Sequence, residues 1–96
     1  MAFLRVVRFT ADPADAEQVL ARRAALIDAV RGRFPGLTQT RLARVDERTW
    51  VDSWCWDSPD TLAAAVAVAH DLPESGPAFA LVKDATSEEG EIVDER

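Results

Sequence analysis

The segment TWVDSWCW, residues 49–56, has the composition and alternation of a β-strand. Alternate side chains of a strand point to opposite faces, so Trp50, Trp54 and Trp56 share one face with Asp52. Each indole ring can bury roughly 200 Å². This face therefore has to be covered by helices, by a partner subunit or by a flat ligand.

Asp52 is the charged residue among these tryptophans, and a carboxylate on an apolar surface has to be paired or hydrated. One interpretation is a structural ion pair with Arg41 or Arg44 of the neighbouring strand. The other is a general base, because desolvation makes a carboxylate a better proton acceptor. The sequence leaves both interpretations open.

The segments before residue 49 predict a strand, a helix and a second strand. Phe3–Thr10 is rich in β-branched and aromatic residues, and both of its faces are mostly apolar. Asp12-Pro13 supplies an N-cap and a first-turn proline for a long helix that ends near Gly32. Leu37–Val45 alternates as a second strand and should form a hairpin with residues 49–56.

After the tryptophan strand, Ser58-Pro59 should open an alanine-rich helix that runs to His70. The segment Leu72–Pro77 breaks this helix, and residues 78–82 could add a helical turn. In the acidic segment that follows, Glu91-Ile92-Val93 is the best candidate for a last strand.

This element order, β-α-β-β-α-β, predicts an α+β fold of the ferredoxin-like type in a single domain, residues 1–96. Such a fold has a four-stranded antiparallel sheet with both helices on one face, and the other face stays open. Because the first strand is apolar on both sides, we expect a homodimer in which two sheets close into a dimeric α/β barrel.

Composition excludes several classes of function. The net charge of −6 argues against nucleic-acid binding. No apolar run is long enough for a membrane span, and the start of the chain lacks a signal peptide, so we expect a cytoplasmic protein without membrane contact. Cys55 is the only cysteine and His70 the only histidine, which excludes a disulfide and a Cys/His metal site. We therefore expect no metal and no cofactor.

Four motifs resemble the antibiotic biosynthesis monooxygenase family of dimeric α/β-barrel proteins. They are Val7-Arg8-Phe9-Thr10 at the end of the first strand, Asp12-Pro13 at the first helix, Phe34-Pro35-Gly36-Leu37 before the second strand, and Trp56-Asp57-Ser58-Pro59 at the second helix. The resemblance covers most of the chain up to about Leu62. It implies a substrate cavity inside each subunit, between the sheet and the helices.

The resemblance also implies a choice of chemistries, because the family includes cofactor-free oxygenases of aromatic polyketides or quinols and haem-degrading enzymes. The polyketide-oxidising members carry an asparagine four residues before a tryptophan that ends the third strand. Here Trp56 matches the tryptophan, and Asp52 stands at the asparagine's position. Val7 or a neighbour replaces an asparagine that some members place on the first strand, and the chain has no tyrosine. The second helix has alanines where haem-degrading members have tryptophan, so haem is not expected.

Seven residues form the predicted site. We expect Asp52 and Trp56 to be catalytic, as the base and as a cavity wall and hydrogen-bond donor. We expect the substrate-binding residues to be Trp54, Trp50, Arg5, Val7 and His70. Six of them have a structural alternative: core packing for the three tryptophans, an ion pair for Asp52, a salt bridge for Arg5 and a helix-end cap for His70.

Three functions remain open on the sequence. The first is a cofactor-independent monooxygenase that oxidises a small aromatic, polyketide-like or quinol-like substrate with O₂. The second is a non-catalytic dimer of the same architecture that binds a ligand or serves as structure. The third is an isomerase or cyclase that uses the same base without oxygen, because fold alone does not choose a chemistry.

Overall fold

The computed structural model describes residues 2–96, which form four strands and three α-helices. In chain order the elements are β1 (Phe3–Thr10), a 3-10 turn (Pro13–Asp15), α1 (Ala16–Arg33), β2 (Leu37–Arg44), β3 (Thr49–Trp56), α2 (Pro59–Ala69), α3 (Ser75–Ala80) and β4 (Lys83–Glu91). The predicted β-α-β-β-α-β order is confirmed, with α3 as an additional short helix before β4.

The strands form one antiparallel sheet in the order β2-β3-β1-β4, which is the ferredoxin-like arrangement. β1 and β3 are the two central strands, and Val7 lies opposite Asp52 in their register. Residues directly opposite each other in a sheet point to the same side. The side that carries Asp52 and the tryptophans therefore also carries alternate residues of β1.

The predicted start of α2 is confirmed by its capping bond, and the cap predicted for the long helix forms on the 3-10 turn that leads into α1. The carboxylate of Asp12 accepts a hydrogen bond from the backbone N–H of Ala14 at 3.0 Å, and Pro13 follows in the first turn. The hydroxyl of Ser58 accepts from the N–H of Thr61 at 3.1 Å. Each cap pairs a backbone donor that has no partner within its helix.

The β2–β3 hairpin has four residues between its strands, 45–48, and its register depends on Asp46. The Asp46 carboxylate accepts from the N–H groups of Arg48 at 2.9 Å and Thr49 at 2.8 Å. These bonds, the one from Arg48 above all, lower the pKa of Asp46 below its usual range. In the resulting register Leu42 lies opposite Asp52 and Arg44 opposite Trp50.

Two predictions for the end of the chain are wrong in their bounds. The helix expected at 78–82 covers Ser75–Ala80. Pro77, which was expected to prevent a helix here, lies in the first turn, where a backbone N–H would have no partner within the helix. The last strand covers Lys83–Glu91, whereas the prediction centred it on residues 91–93. Val93 lies beyond it and is 86% exposed. β4 is an edge strand that forms by backbone pairing with β1, so it needs few apolar side chains.

The core lies between the sheet and the helices in two clusters. The larger one contains buried residues of α1, α2, β2 and β3 together with Leu72: Leu26, Ile27, Val30, Leu37, Trp56, Leu62, Ala65 and Leu72. The smaller one contains Phe9, Ala11, Val19 and Trp50. Within residues 2–96 no helix is long and apolar enough to cross a membrane. The predicted cytoplasmic location stays a prediction.

Candidate functional site

A cavity of about 450 Å³ lies between the helix-facing side of the sheet and the helices. One side of it is lined by β1, β3 and β4, and the other by α1, α2 and α3. Most of the lining side chains are apolar, while the charged ones are Arg5, Arg23 and Asp52. An apolar hollow of a few hundred Å³ with a few convergent polar groups is typical of a small-molecule site.

Asp52 lies in the cavity wall and accepts three hydrogen bonds. Arg23 of α1 donates from Nε to Oδ2 and from Nη2 to Oδ1, both at 2.9 Å, and Trp54 donates from its indole Nε1 to Oδ1 at 2.9 Å. The Arg23 and Asp52 side chains are 18% and 14% exposed. The pair is therefore bidentate and largely desolvated, the geometry in which arginine fixes a carboxylate most firmly.

The ion pair expected from β2 does not form. The guanidinium of Arg44 lies 4.3 Å from the centre of the Trp50 ring, as a cation–π contact. Arg41 lies opposite Ser53 and so points to the other side of the sheet. The partner of Asp52 is instead Arg23 of α1.

Arg23 is the site residue that the sequence predictions missed. It lies four residues after Val19 and three before Leu26, both of which are buried. An arginine at this spacing points toward the core side of its helix. That position in the apolar stripe was the available signal, because a charge on a buried face needs a partner.

Trp56 and Trp54 line the cavity together, with ring centres 6.4 Å apart and planes tilted by 34°. Trp56 is 2% exposed, and its indole nitrogen is buried with no hydrogen-bond acceptor among residues 2–96. A buried N–H without a partner costs about 1–3 kcal/mol. The Trp56 ring therefore lines the cavity, while its unpaired indole N–H is covered by protein.

Trp50 is not among the residues that line the cavity. Its ring stacks on Phe9, with centres 6.4 Å apart and planes within 6°, and it is 5% exposed in the smaller core cluster. Trp50 thus packs as core, which was the structural alternative for the tryptophan face. Trp50 differs from Trp54 and Trp56 because Phe9, directly opposite Trp50 in the register, fills the space beside the Trp50 ring.

The other three predicted substrate-binding residues, Arg5, Val7 and His70, all line the cavity. The Arg5 guanidinium donates to Glu89 of β4 at 2.6 Å, and its side chain is 31% exposed. The His70 ring packs against Phe79 with centres 6.0 Å apart, and His70 is the C-cap residue directly after α2. The expected structural roles of Arg5 and His70, a salt bridge and a helix end, are therefore compatible with their places in the wall.

Cys55 lies on the opposite side of the sheet from the tryptophans, and burial raises the pKa of its thiol. A thiol with a raised pKa is less reactive at neutral pH. In the described part of the chain, no group of three or more His, Cys, Asp or Glu side chains could hold a metal ion.

These features define a ferredoxin-like domain with a ligand-sized cavity between its sheet and its helices. No protein-family model matches the chain, and no curated protein sequence does. Solved structures of the same fold do. The chain is 30% identical to SnoaB, a cofactor-independent oxygenase from Streptomyces nogalater, with 99% of this chain and 94% of SnoaB covered and a TM-score of 0.66. A mutant of SnoaB aligns with a TM-score of 0.74 at 26% identity, covering 98% of this chain and 95% of the mutant.

Two more distant structures share the fold. A Caulobacter crescentus protein of the antibiotic biosynthesis monooxygenase group is 18% identical, with 97% and 91% of the two chains covered and a TM-score of 0.74. A dimeric ferredoxin-like protein from an uncultured marine organism is 15% identical, with 99% and 90% covered and a TM-score of 0.73. The similarity to SnoaB extends over nearly the whole of both chains. The chain belongs to the antibiotic biosynthesis monooxygenase family.

Proposed function

We propose that the protein is a cofactor-independent monooxygenase that oxidises a small, flat aromatic substrate with O₂. The observation that carries this proposal is the cavity itself, which is apolar, about 450 Å³ in volume and bordered by Asp52, Trp54 and Trp56. A flat ring fits against indole faces. The likeness to SnoaB, a cofactor-independent oxygenase, supports the same reaction class.

In the proposed reaction Asp52 is the base. Its Oδ2 accepts one hydrogen bond, from Arg23, and so has capacity for a second. The carboxylate takes a proton from an anthrone or hydroxyarene, and the electron-rich anion then reduces O₂ and combines with it as a hydroperoxide. Loss of water gives the quinone, so that anthrone plus O₂ becomes anthraquinone plus water. This chemistry resides in the substrate anion and uses no metal or flavin.

Trp56 has two roles in this proposal. Its ring forms part of the wall that holds the substrate, and its unpaired indole N–H donates to the oxygen on which charge develops. A donor of this kind accelerates a reaction only when its hydrogen bond is stronger in the transition state than in the ground state. The indole nitrogen is covered in this structure, so this second role requires the wall to shift when the substrate binds.

The test is oxygen uptake by the purified protein with a panel of anthrones and hydroquinones, without added metal or flavin. We expect uptake above the uncatalysed rate, and a loss of about 100-fold or more in turnover for Asp52→Asn because the base is removed. Trp56→Phe keeps an aromatic ring, although a smaller one, and removes the N–H, and should cost about tenfold or more. Unchanged turnover in Asp52→Asn would exclude Asp52 as the base.

One observation favours a second function, ligand binding without turnover. Asp52 already has a bidentate arginine partner, and a carboxylate held in this way can serve as a fixed binding group. Tight binding of an aromatic ligand with no oxygen uptake and no change in the ligand would support this function. Conversion of the ligand without oxygen uptake would indicate an isomerase or cyclase.

We also propose that the protein is a homodimer that pairs through the open side of the sheet. Val6 and Val51 lie on this side and are only partly exposed, and the related marine protein is a dimeric ferredoxin-like protein. Sedimentation equilibrium should give a mass twice the 10.5 kDa of one chain. Val51→Arg should shift the mass to that of one chain, because a buried charge without a partner opposes the contact. A wild-type mass of one chain at micromolar concentration would contradict the dimer.

A further inference from the structure

The charges that line the cavity differ from those of the rest of the protein. The chain has a net charge of −6, whereas the charged lining consists of two arginines and one acid. Arg5 is bound to Glu89 at one edge. Arg23 and Asp52 therefore form the central polar group of an otherwise apolar space.

Within this group, hydrogen-bonding capacity remains on both partners. Arg23 uses Nε and Nη2 on Asp52, and its Nη1 makes no hydrogen bond with any of residues 2–96. Asp52 has one bond on Oδ2 and two on Oδ1. A carboxylate oxygen can accept two, so Oδ2 has an acceptor site left, and Arg23 has donors left.

A hydroxyl group is the ligand group that matches this combination, because it donates one hydrogen bond and accepts others. A carboxylate can only accept, and it would meet the negative charge of Asp52. An ammonium group can only donate, and it would meet the positive charge of Arg23. The ion pair is neutral as a whole, so a neutral hydroxyl enters the cavity without leaving an uncompensated charge there.

We propose that Arg23 is a specificity-determining residue, which together with Asp52 selects aromatic ligands that carry a neutral hydroxyl group and rejects aromatic carboxylates. This inference rests on the proposed function in taking the cavity as the substrate site. It adds a role for Arg23 in catalysis. When Asp52 takes the proton of the bound hydroxyl, Arg23 compensates the oxyanion that is formed, so the total charge of ligand, acid and arginine does not change.

The test compares the binding of 2-naphthol and 2-naphthoate, which share a ring system and differ in charge, by titration calorimetry with wild type and variants. Wild type should bind 2-naphthol at least about tenfold more tightly than 2-naphthoate. In Asp52→Asn the Arg23 charge is no longer compensated, so the affinity for 2-naphthoate should rise about tenfold or more and the preference should reverse. The double variant Asp52→Asn/Arg23→Gln should lose that gain.

Arg31→Gln is the matched control, because Arg31 lies on the same helix, is exposed and does not line the cavity. It should leave both affinities within about twofold of wild type, since exposed charges are screened. If Asp52→Asn does not fold, as judged by circular dichroism, Arg23→Gln replaces it. That variant should bind 2-naphthol about tenfold more weakly than wild type.

The outcomes separate this inference from the proposed function. Binding of both probes with equal affinity, or an Asp52→Asn variant whose preference does not reverse, overturns the role of Arg23 and leaves the oxygenase proposal intact. If wild type prefers 2-naphthol, Asp52→Asn reverses that preference and no oxygen is taken up, the hydroxyl selection is supported and the oxygenase proposal is overturned. If neither naphthalene probe nor any anthrone binds, the oxygenase proposal and the role of Arg23 are both overturned.

Discussion

Trp50 and Trp54 lie on the same side of β3, four residues apart, and their surroundings are opposite in character. Trp50 is enclosed, with Phe9 stacked beside it and the Arg44 guanidinium 4.3 Å from its ring centre. Trp54 faces the cavity, donates to Asp52 and remains partly exposed. One strand face thus forms packed core at one end and the wall of a cavity at the other.

The difference comes from what covers each ring. Near Trp50, the large side chain of Phe9 and the buried Val19 fill the space. Over Trp54 and Trp56, α2 contributes the small residues Ala65 and Ala69, which line the cavity. Large rings beneath alanines can pack as a core only if the helix approaches closely, and here space remains. The cavity is therefore a consequence of residue size on α2 as much as of the tryptophans.

The largest expected effect is a loss of stability when Trp50, the enclosed ring, is replaced. Trp50→Ala should lower the free energy of unfolding by about 3–5 kcal/mol, because it removes a ring that is packed on all sides. Trp54→Ala should cost about 2 kcal/mol, since part of this ring already faces open space and only part of its burial is lost. Urea denaturation followed by circular dichroism measures both values.

Because a small domain has only about 5–15 kcal/mol of stability, Trp50→Ala could leave too little folded protein for a reliable curve. Trp50→Phe and Trp54→Phe then serve as milder substitutions with the same expected order. Equal losses at positions 50 and 54 would contradict the distinction between a packed end and a hollow end of β3.

A smaller effect, on ligand affinity, is expected when a larger side chain fills the cavity. Ala69→Phe places a ring in the space above Trp54 and Trp56 and should weaken the binding of 2-naphthol by about tenfold or more, because the ligand and the new side chain compete for one volume. The measurement is the same calorimetric titration. Fold stability should change little, since the added ring occupies space that is already open.

Ala67→Phe is the matched control on the same helix, because Ala67 is exposed and does not line the cavity. Its affinity for 2-naphthol should equal that of wild type. If Ala69→Phe binds the ligand as well as wild type does, the ligand occupies another place, and the hollow end of β3 is not the binding site.

Sequence reasoning predicted the central elements well and the last ones poorly. The bounds of β1 and the strand TWVDSWCW follow from β-branched and aromatic residues, and Asp12 and Ser58 mark helix starts through bonds within a few residues. β4 lacks such local signals. It forms as an edge by pairing with β1, which is about eighty residues away in sequence, so its acidic composition misled the prediction.

The residues around the cavity, which form the candidate site, were predictable to a similar degree. Asp52, Trp54 and Trp56 share one face by simple alternation, and that face does line the cavity. The same alternation placed Trp50 with them, and only the neighbour Phe9 shows why Trp50 is core. The alternation of β2 predicts an arginine partner for Asp52 on the adjacent strand, whereas Arg23 reaches the acid from a helix on the same side of the sheet.

By itself, the sequence determined the order of the elements, the caps and the side of β3 on which the tryptophans and the acid lie, because all of these depend on local backbone periodicity and short-range hydrogen bonds. Only the tertiary structure decided which tryptophans line the cavity, where space remains, and that Arg23 holds Asp52. These properties depend on how side chains from separate elements fill a shared volume, and residues 23 and 52 meet only when α1 packs on the sheet.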